Sequence, residues 1–281
     1  KELPLSYFSH SATAMITGYT KELDLSEQKE GQRTILVFDG VMTYYELYVN
    51  GKTVTEHKGG YSKSFVDITD YCVKGVNRIV LKVDSRERED IPPFSYAIDY
   101  LTYGGIYRDV QLILTEFCGI EEYGVFVQTT KLERENEDPN GWNATVKIDT
   151  QVFDQRPDIG EYQNNGISQM QEPLFLETCI LDGETVLAKE ISRINMKTEG
   201  EIDSEKKDRN STSSLNSKTI TQQISLSGIQ PWSPNSPKLY TVVSRVSYNG
   251  ILVDCVRTNF GIRTVRFDKD NGFFLNGEHF A

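Results

Sequence analysis

Asn-Gly dipeptides between runs of β-forming residues constrain the fold of this chain more than any other feature. Asn50-Gly51 follows the run 44–49, and Asn249-Gly250 follows the run 240–248. A second run of β-forming residues comes directly after each dipeptide. Both central residues of a type I′ turn need positive φ, a need that Asn-Gly meets well. The sequence therefore predicts an antiparallel hairpin at each place.

Short strand-like segments recur along the first part of the chain, and long patterns of helical period are hard to find. Strands of this length with loops between them are typical of a sandwich or a jelly roll. The candidate strands of this first block are residues 34–38, 44–49, 52–57, 78–83 and 110–114.

A second block of candidate strands begins near Ile120. About seven strands at such spacing are typical of an immunoglobulin-like sandwich, although the Cys…Trp…Cys signature is absent. The predicted class is all-β, with a jelly-roll β-sandwich followed by an immunoglobulin-like β-sandwich. The strands of the second block are predicted at 123–128, 142–153, 174–181, 218–226, 240–248 and 251–260.

Two polar stretches interrupt the second block, at residues 154–172 and 196–217. They are rich in Gln, Asn, Ser, Gly and charged residues, and neither can bury enough apolar area to offset the entropy of ordering. We expect both to be long exposed hairpin loops.

Composition excludes several classes of partner. The chain has 281 residues, 38% of them hydrophobic and 11% aromatic, which is enough for two globular domains. A net charge of −11 and no basic stripe argue against a nucleic-acid partner. No apolar run approaches the roughly 18 residues of a membrane span, so no membrane contact is expected. The amino-terminal residues lack a signal-peptide core.

The cysteines and histidines predict no metal or redox site. Cys72, Cys118, Cys179 and Cys255 form no CxxC pair, and no cysteine and histidine cluster has zinc spacing. We expect reduced, buried thiols and, from these, a cytoplasmic protein. The three histidines are far apart in sequence.

A set of short motifs in a fixed order resembles glycoside hydrolase family 2, the family of β-galactosidase, β-glucuronidase and β-mannosidase. Each motif is weak alone, but their order and spacing together are specific. The motifs of the first block are Phe38-Asp39-Gly40-Val41, Tyr48-Val49-Asn50-Gly51-Lys52, His57-Lys58-Gly59-Gly60-Tyr61, residues 65–71, Gly75-Val76-Asn77-Arg78 and Gly104-Gly105-Ile106-Tyr107-Arg108-Asp109-Val110. The second block adds Gln230-Pro231-Trp232-Ser233-Pro234, Pro237-Lys238-Leu239-Tyr240 and Phe260-Gly261-Ile262-Arg263.

The resemblance implies a domain order. Residues 1–118 would be the sugar-binding jelly-roll domain and residues 119–263 the immunoglobulin-like domain. Residues 264–281 resemble the junction before the family's catalytic barrel, so we expect them to start a linker into a barrel of the same polypeptide that the chain does not include.

The resemblance also implies a function for the longer protein. It would be a retaining glycoside hydrolase, foremost a β-galactosidase, that cleaves terminal β-glycosidic bonds of a carbohydrate substrate without an organic cofactor. Retention needs two carboxyl groups about 5–5.5 Å apart, and in this family both are glutamates on barrel strands. We therefore expect no catalytic residue here, and interpret the acidic clusters at 86–90 and 121–122 as solvated.

One loop is expected to reach the substrate. In the family's β-galactosidases, an aspartate six residues before the second glycine of the Gly-Gly signature contacts sugar hydroxyls. Asp99 stands at that distance from Gly105, among Tyr100, Tyr103 and other aromatic residues. The resemblance thus implies substrate binding by Asp99, Tyr100 and Tyr103.

Two alternatives remain open at this point. One is β-glucuronidase or β-mannosidase specificity, which barrel residues would decide. The other is a free-standing carbohydrate-binding or adhesive module, whose sugar would lie on exposed aromatic residues. The tyrosines available for such a surface are Tyr44, Tyr45, Tyr96, Tyr100 and Tyr103. Homo-oligomerisation of the full-length enzyme is also left open.

Overall fold

The computed structural model describes residues 15–29, 31–92, 103–135, 141–156, 173–196 and 217–280. Strands make up almost all regular structure in these ranges, where the one helical segment is a 3-10 turn at Thr69–Tyr71. None of the described segments is a helix long and apolar enough to cross a membrane. The chain divides into two compact units, Lys1–Thr115 and Glu116–Ala281.

The first unit is built from antiparallel sheets. Strands β1, β7, β4 and β5 form one sheet in that order, β6, β2 and β9 form a second, and the short strands β3 and β8 pair with each other. The strands are β1 (Ile16–Asp24), β2 (Arg33–Phe38), β3 (Val41–Met42), β4 (Tyr44–Val49), β5 (Lys52–Lys58), β6 (Ser64–Asp67), β7 (Val76–Asp84), β8 (Gly105–Ile106) and β9 (Val110–Thr115).

The core of this unit lies between its two larger sheets. Alternate residues of β4, namely Tyr45, Leu47 and Val49, are buried in one cluster with Leu36 and Phe38 of β2. Because side chains of a strand alternate between faces, this pattern gives each sheet one core face. The unit is therefore a β-sandwich.

The predicted hairpin between β4 and β5 is confirmed. Asn50 and Gly51 both have positive φ, at 51° and 79°. The side chain of Asn50 also donates to the carbonyl of Tyr71 at 3.0 Å and to Oδ1 of Asn77 at 2.9 Å. The turn is thus joined to the neighbouring loops as well as to its own strands.

The second unit contains a three-stranded sheet in the order β10, β11, β14 and a four-stranded sheet in the order β13, β12, β15, β16. A third sheet joins β17, β18 and β19. The strands are β10 (Cys118–Arg134), β11 (Trp142–Asp154), β12 (Leu174–Asp182), β13 (Thr185–Ile194), β14 (Ser217–Ile229), β15 (Tyr240–Tyr248), β16 (Ile251–Phe260), β17 (Val265–Asp268), β18 (Gly272–Leu275) and β19 (Glu278–His279).

Both larger sheets of the second unit contribute to its core, which has two larger apolar clusters and a small one formed by Cys179, Leu181 and Val243. The first cluster includes Ile148 of β11 and Ile180 of β12. The second includes Val152 of β11 and Leu176 of β12. The prediction of an all-β chain with two successive sandwiches is thereby confirmed. The hairpin at Asn249-Gly250 is confirmed as well, because both residues have positive φ and β15 pairs with β16.

The predictions for the two polar stretches and for residues 264–281 have different outcomes. Residues 157–172 and 197–216, most of the two predicted loops, lie outside the described part of the chain. The predicted linker segment contains β17, β18 and β19, which pair as an antiparallel sheet across a turn at Asn276-Gly277.

The four cysteines are free thiols, and two of them are not fully buried. Cys118 and Cys179 are buried, Cys72 is half-buried and Cys255 is exposed. The expectation of burial is wrong for Cys255 because it faces away from the core on β16, next to Val256, which packs against the core. Burial raises the pKa of the Cys118 thiol to about 12, so this group is inert near neutral pH.

A buried ion pair closes the end of β11. The Asp154 carboxylate accepts hydrogen bonds from Nε and Nη2 of Arg156 at 2.9 and 2.6 Å, and both side chains are almost wholly buried. The same guanidinium lies 4.3 Å from the ring centroid of Tyr248. Such a pair contributes little net stability when intact, but loss of one partner leaves an uncompensated buried charge.

We expect Asp154→Ala to lower the free energy of unfolding of the second unit by about 3–5 kcal/mol. Trp142 and Trp232 are the only tryptophans and both lie in this unit, so tryptophan fluorescence in a urea titration reports its unfolding. The control is Glu133→Ala, which removes an exposed ion pair with Lys131 and should change little. Equal effects of the two variants would contradict the prediction.

Candidate functional site

Of the three residues implicated in substrate binding, only Tyr103 lies within the described structure. Asp99 and Tyr100 fall in residues 93–102, outside it. Tyr103 is 72% exposed, and its ring stacks on that of Tyr107, with centroids 6.0 Å apart and an interplanar angle of 20°. The described residues therefore place one predicted site residue on an open aromatic surface of the first unit.

Two further tyrosines make this surface a cluster, which we call the tyrosine cluster (Tyr61, Tyr103 and Tyr107). The ring of Tyr61 meets Tyr107 edge-on, with centroids 6.4 Å apart. The Tyr107 hydroxyl donates to the carbonyl of Gly60 at 2.6 Å. Tyr107 is thus held from both sides, whereas Tyr61 and Tyr103 present exposed rings.

Glycines allow the backbone segments under the cluster to approach closely. A Cβ on Gly40 would lie 2.9 Å from Cδ of Arg108 and 3.0 Å from the ring of Tyr107. A Cβ on Gly60 would lie 2.5 Å from the sulfur of Met42. Neither site has room for a larger residue without displacing a neighbour. Gly40 and Gly60 therefore allow the segments that carry the aromatic rings to come together.

The backbone conformation at Gly105 also favours glycine. Its φ of 83° lies in the left-handed region, and a Cβ there would clash with the hydroxyl of Tyr19. Its amide donates to Oγ of Ser85 at 2.9 Å, and that hydroxyl donates to the carbonyl of Met42 at 2.9 Å. This contact fixes β8 beside β3.

Arg108 braces the site through backbone carbonyls. Nη1 of Arg108 donates to the carbonyls of Asp39 and Tyr61 at 3.4 and 3.1 Å. The Asp39 carboxylate pairs with Lys63 at 3.0 Å. The guanidinium of Arg108 also lies 5.1 Å from the Tyr107 ring centroid. Arg108 thus joins the segments at Asp39 and Tyr61 to the ring of Tyr107.

The tyrosines proposed for a free-standing binding surface differ in exposure where the structure describes them. Tyr45 is buried in the core and its hydroxyl lies 2.7 Å from Oγ of Ser64, so its predicted exposure is wrong. Burial raises its pKa to about 12. Tyr44 is half-buried, and its hydrogen bond to Glu56 raises its pKa well above the usual range. Tyr96 and Tyr100 are outside the described residues.

The acidic side chains in and beside the cluster at residues 86–90 form local ion pairs. Arg86 makes two hydrogen bonds to the Asp84 carboxylate, and Asp90 pairs with Arg88 and Lys58. Hydrogen bonds from Arg88 and Lys58 lower the pKa of the exposed Asp90. Across the described ranges, no group of three or more His, Cys, Asp or Glu side chains is arranged to hold a metal ion.

The arrangement suits contact with a sugar ring. Flat aromatic faces can cover the C–H face of a pyranose, while phenol hydroxyls and a guanidinium provide hydrogen bonds at its edge. Sequence reasoning included Tyr61 and Tyr107 only as parts of motifs and missed them as site residues. The available signal was their position beside the pairs Gly59-Gly60 and Gly104-Gly105.

Residues 5–116 match the family described as "Glycosyl hydrolases family 2, sugar binding domain". Residues 179–263 match "Glycosyl hydrolases family 2". The two matches lie in the first and second units respectively.

Several curated relatives are similar over almost the whole chain. A β-galactosidase of Thermoanaerobacter pseudethanolicus is 30% identical over 280 residues, which are 99% of this chain and 32% of the relative. A β-glucuronidase of Bacteroides fragilis is 27% identical over 94% of this chain and 34% of its own length. The chain thus spans about a third of the length of these relatives.

Solved structures are likewise similar to almost the whole chain and are longer than it. A putative β-galactosidase from Bacteroides fragilis superposes with a TM-score of 0.73 and 26% identity, over 95% of this chain and 35% of that chain. A β-glucuronidase from Bacteroides uniformis superposes with a TM-score of 0.72 and 26% identity, over 94% of this chain and 28% of that chain. Both kinds of enzyme are therefore represented at nearly equal similarity.

We expect Gly105→Ala to destabilise the first unit, because alanine at positive φ costs about 1–2 kcal/mol and its Cβ would displace Tyr19. Hydrogen exchange at the amides of β4 and β7 measures the loss. Gly18→Ala is the matched control, since Gly18 is an open strand position with nothing near its Cβ direction. Equal protection in the two variants would refute the assignment of strain to Gly105.

Proposed function

Because the chain belongs to glycoside hydrolase family 2, we propose that it is the non-catalytic part of a retaining β-glycosidase that cleaves terminal β-galactosides. Its similarity to the Thermoanaerobacter β-galactosidase over 99% of its length supports this proposal. A second β-galactosidase, from Thermoanaerobacterium thermosulfurigenes, is 29% identical over 98% of the chain.

The part of the protein that performs the chemistry lies, in this proposal, outside the 281 residues. A retaining mechanism uses one carboxylate as nucleophile and a second carboxyl group as acid and then base, about 5–5.5 Å apart. A barrel domain of the same polypeptide would supply both. The chain's spanning only about a third of its relatives supports this division of labour.

The role proposed for this chain is to contribute one wall of the sugar site. Asp99 would accept hydrogen bonds from two sugar hydroxyls, with Tyr100 and Tyr103 beside it. The observation that carries this proposal is the exposed tyrosine cluster, where Tyr103 directly follows residues 93–102 and stacks on Tyr107.

A β-glucuronoside is the second candidate substrate. The Bacteroides fragilis β-glucuronidase and the Bacteroides uniformis structures support it with similarities close to those of the β-galactosidases. The two sugars differ in a carboxylate at C6 and in the orientation of the C4 hydroxyl. Discrimination between them requires a cationic or hydrogen-bonding partner for the carboxylate, which we assign to the barrel.

The test of the proposal compares the chain with the longer protein that contains it. Alone, the 281-residue chain should not hydrolyse nitrophenyl β-galactoside or nitrophenyl β-glucuronide above the buffer rate. The longer protein should cleave the galactoside with the higher kcat/KM. A higher value for the glucuronide would select the second candidate. Turnover by the chain alone, abolished by mutation within it, would refute the whole proposal.

We expect Asp99→Ala in the longer protein to lower kcat/KM for a β-galactoside by about ten- to a hundredfold. Loss of a charge-assisted hydrogen bond typically costs about 1.5–3 kcal/mol. Asp70→Ala, at an exposed aspartate of the same unit, is the control and should leave kcat/KM unchanged. Unchanged activity of the Asp99 variant, with normal unfolding, would remove this residue from the site.

A further inference from the structure

Among the described residues, the core of the second unit contains polar atoms without hydrogen-bond partners. They are Oγ1 of Thr150, Oγ1 of Thr178, Oε1 of Gln222 and Oγ of Ser244. All these side chains are almost completely buried, with exposures of 0% or 1%. We call them the polar layer (Thr150, Thr178, Gln222 and Ser244).

Two members of the polar layer are neighbours in one sheet. Thr178 of β12 stands directly opposite Ser244 of β15 in the strand register. Side chains of a directly opposed antiparallel pair lie on the same face, with Cβ atoms about 4.5–5.5 Å apart. Both belong to the buried face, because their strand neighbours Ile180 and Val242 are core residues.

The other two members come from the facing sheet. Gln222 of β14 stands opposite Ile148 of β11, and Thr150 is two residues further along β11, so the two polar side chains are diagonal neighbours on the core face. The amide nitrogen of Gln222 donates to Oγ of Ser192 at 3.0 Å. Its carbonyl oxygen has no such partner among the described residues.

The polar layer lies between the two larger apolar clusters of the core. Along β11, Thr150 separates Ile148 of the first cluster from Val152 of the second. The other three members occupy equivalent positions on their strands. Thr178 lies between Ile180 and Leu176, Ser244 between Val242 and Val246, and Gln222 between Ile224 and Ile220. On each of these four strands, one buried polar residue therefore lies between residues of the two clusters.

Such an arrangement is costly when dry. A buried hydroxyl or amide oxygen without a hydrogen bond loses its hydration and gains nothing in return. Ordered water is the usual partner of polar groups that the protein itself does not satisfy, and a buried water typically makes about three hydrogen bonds. Two facing sheets that each supply acceptors and hydroxyl donors can provide these hydrogen bonds.

We propose that the polar layer binds ordered water between the two sheets of the second unit. The set contains no charged side chain, which argues for a small neutral ligand rather than an ion. Each threonine or serine hydroxyl can both donate and accept, and Oε1 of Gln222 accepts only. Water has the two donors and two acceptors that this mixed set requires.

Polar groups extend from the polar layer to the edge of the four-stranded sheet. Glu190 of β13 stands opposite Thr178, and Ser192 stands opposite Leu176. Both residues are half-buried, so polar groups continue from the fully buried Thr178 to the partly open edge strand. This inference does not depend on the glycosidase proposal, because it concerns only the core of the second unit.

The direct test is a high-resolution crystal structure of the 281-residue chain. We expect at least one ordered water within hydrogen-bond distance of two or more of the four polar atoms. A dry layer, or one in which the hydroxyls bond only to protein groups, would overturn the proposal.

Variants test the water proposal through the direction in which the equilibrium constant for unfolding changes. Thr178→Val keeps the side-chain shape but removes one partner of the water, so the equilibrium constant for unfolding should rise about tenfold. Thr219→Val, at an exposed threonine of β14, is the control and should have no such effect. Tryptophan fluorescence reports both. If Thr178→Val instead stabilises the unit, the hydroxyl was unsatisfied and the proposal is wrong.

Discussion

Burial of one face of each strand is the constraint on which the rest of this structure depends. The larger sheets are antiparallel, and in each the core side chains alternate with outward-facing ones. A slip of one residue in register would turn the core face of a strand toward solvent. The alternation therefore fixes which residues of neighbouring strands meet, and so determines the contents of both cores and of the polar layer.

The surface of the first unit that carries the tyrosine cluster depends on a second, local constraint. Gly40, Gly60 and Gly105 each stand where a Cβ would collide with a neighbouring side chain. Close approach of three loops brings together aromatic residues that are more than 40 positions apart in the sequence. Rigid packing of Tyr107 against Gly60 and Arg108 then leaves Tyr61 and Tyr103 exposed. The proposed contact with a sugar depends on this exposed aromatic surface.

The interior of the second unit contains polar and charged groups as well as apolar clusters. Its two larger apolar clusters are separated by hydroxyl and amide groups, and the ion pair between Asp154 and Arg156 is buried at the end of a strand. Groups of both kinds need specific partners in a dry interior. Such residues add specificity to a core that apolar packing alone would leave less defined.

Local patterns in the sequence determined the all-β class, the hairpins at Asn50-Gly51 and Asn249-Gly250, and the motifs that indicate the family. These features depend on neighbouring residues, on strand period and on the φ requirements of turns. The tertiary structure alone decided that Tyr45 is a core residue, that Arg108 binds carbonyls and that Cys255 is exposed. It also decided that Tyr61 and Tyr107 join Tyr103. Each of these outcomes depends on which distant segments pack together, and period and composition carry no information about that choice.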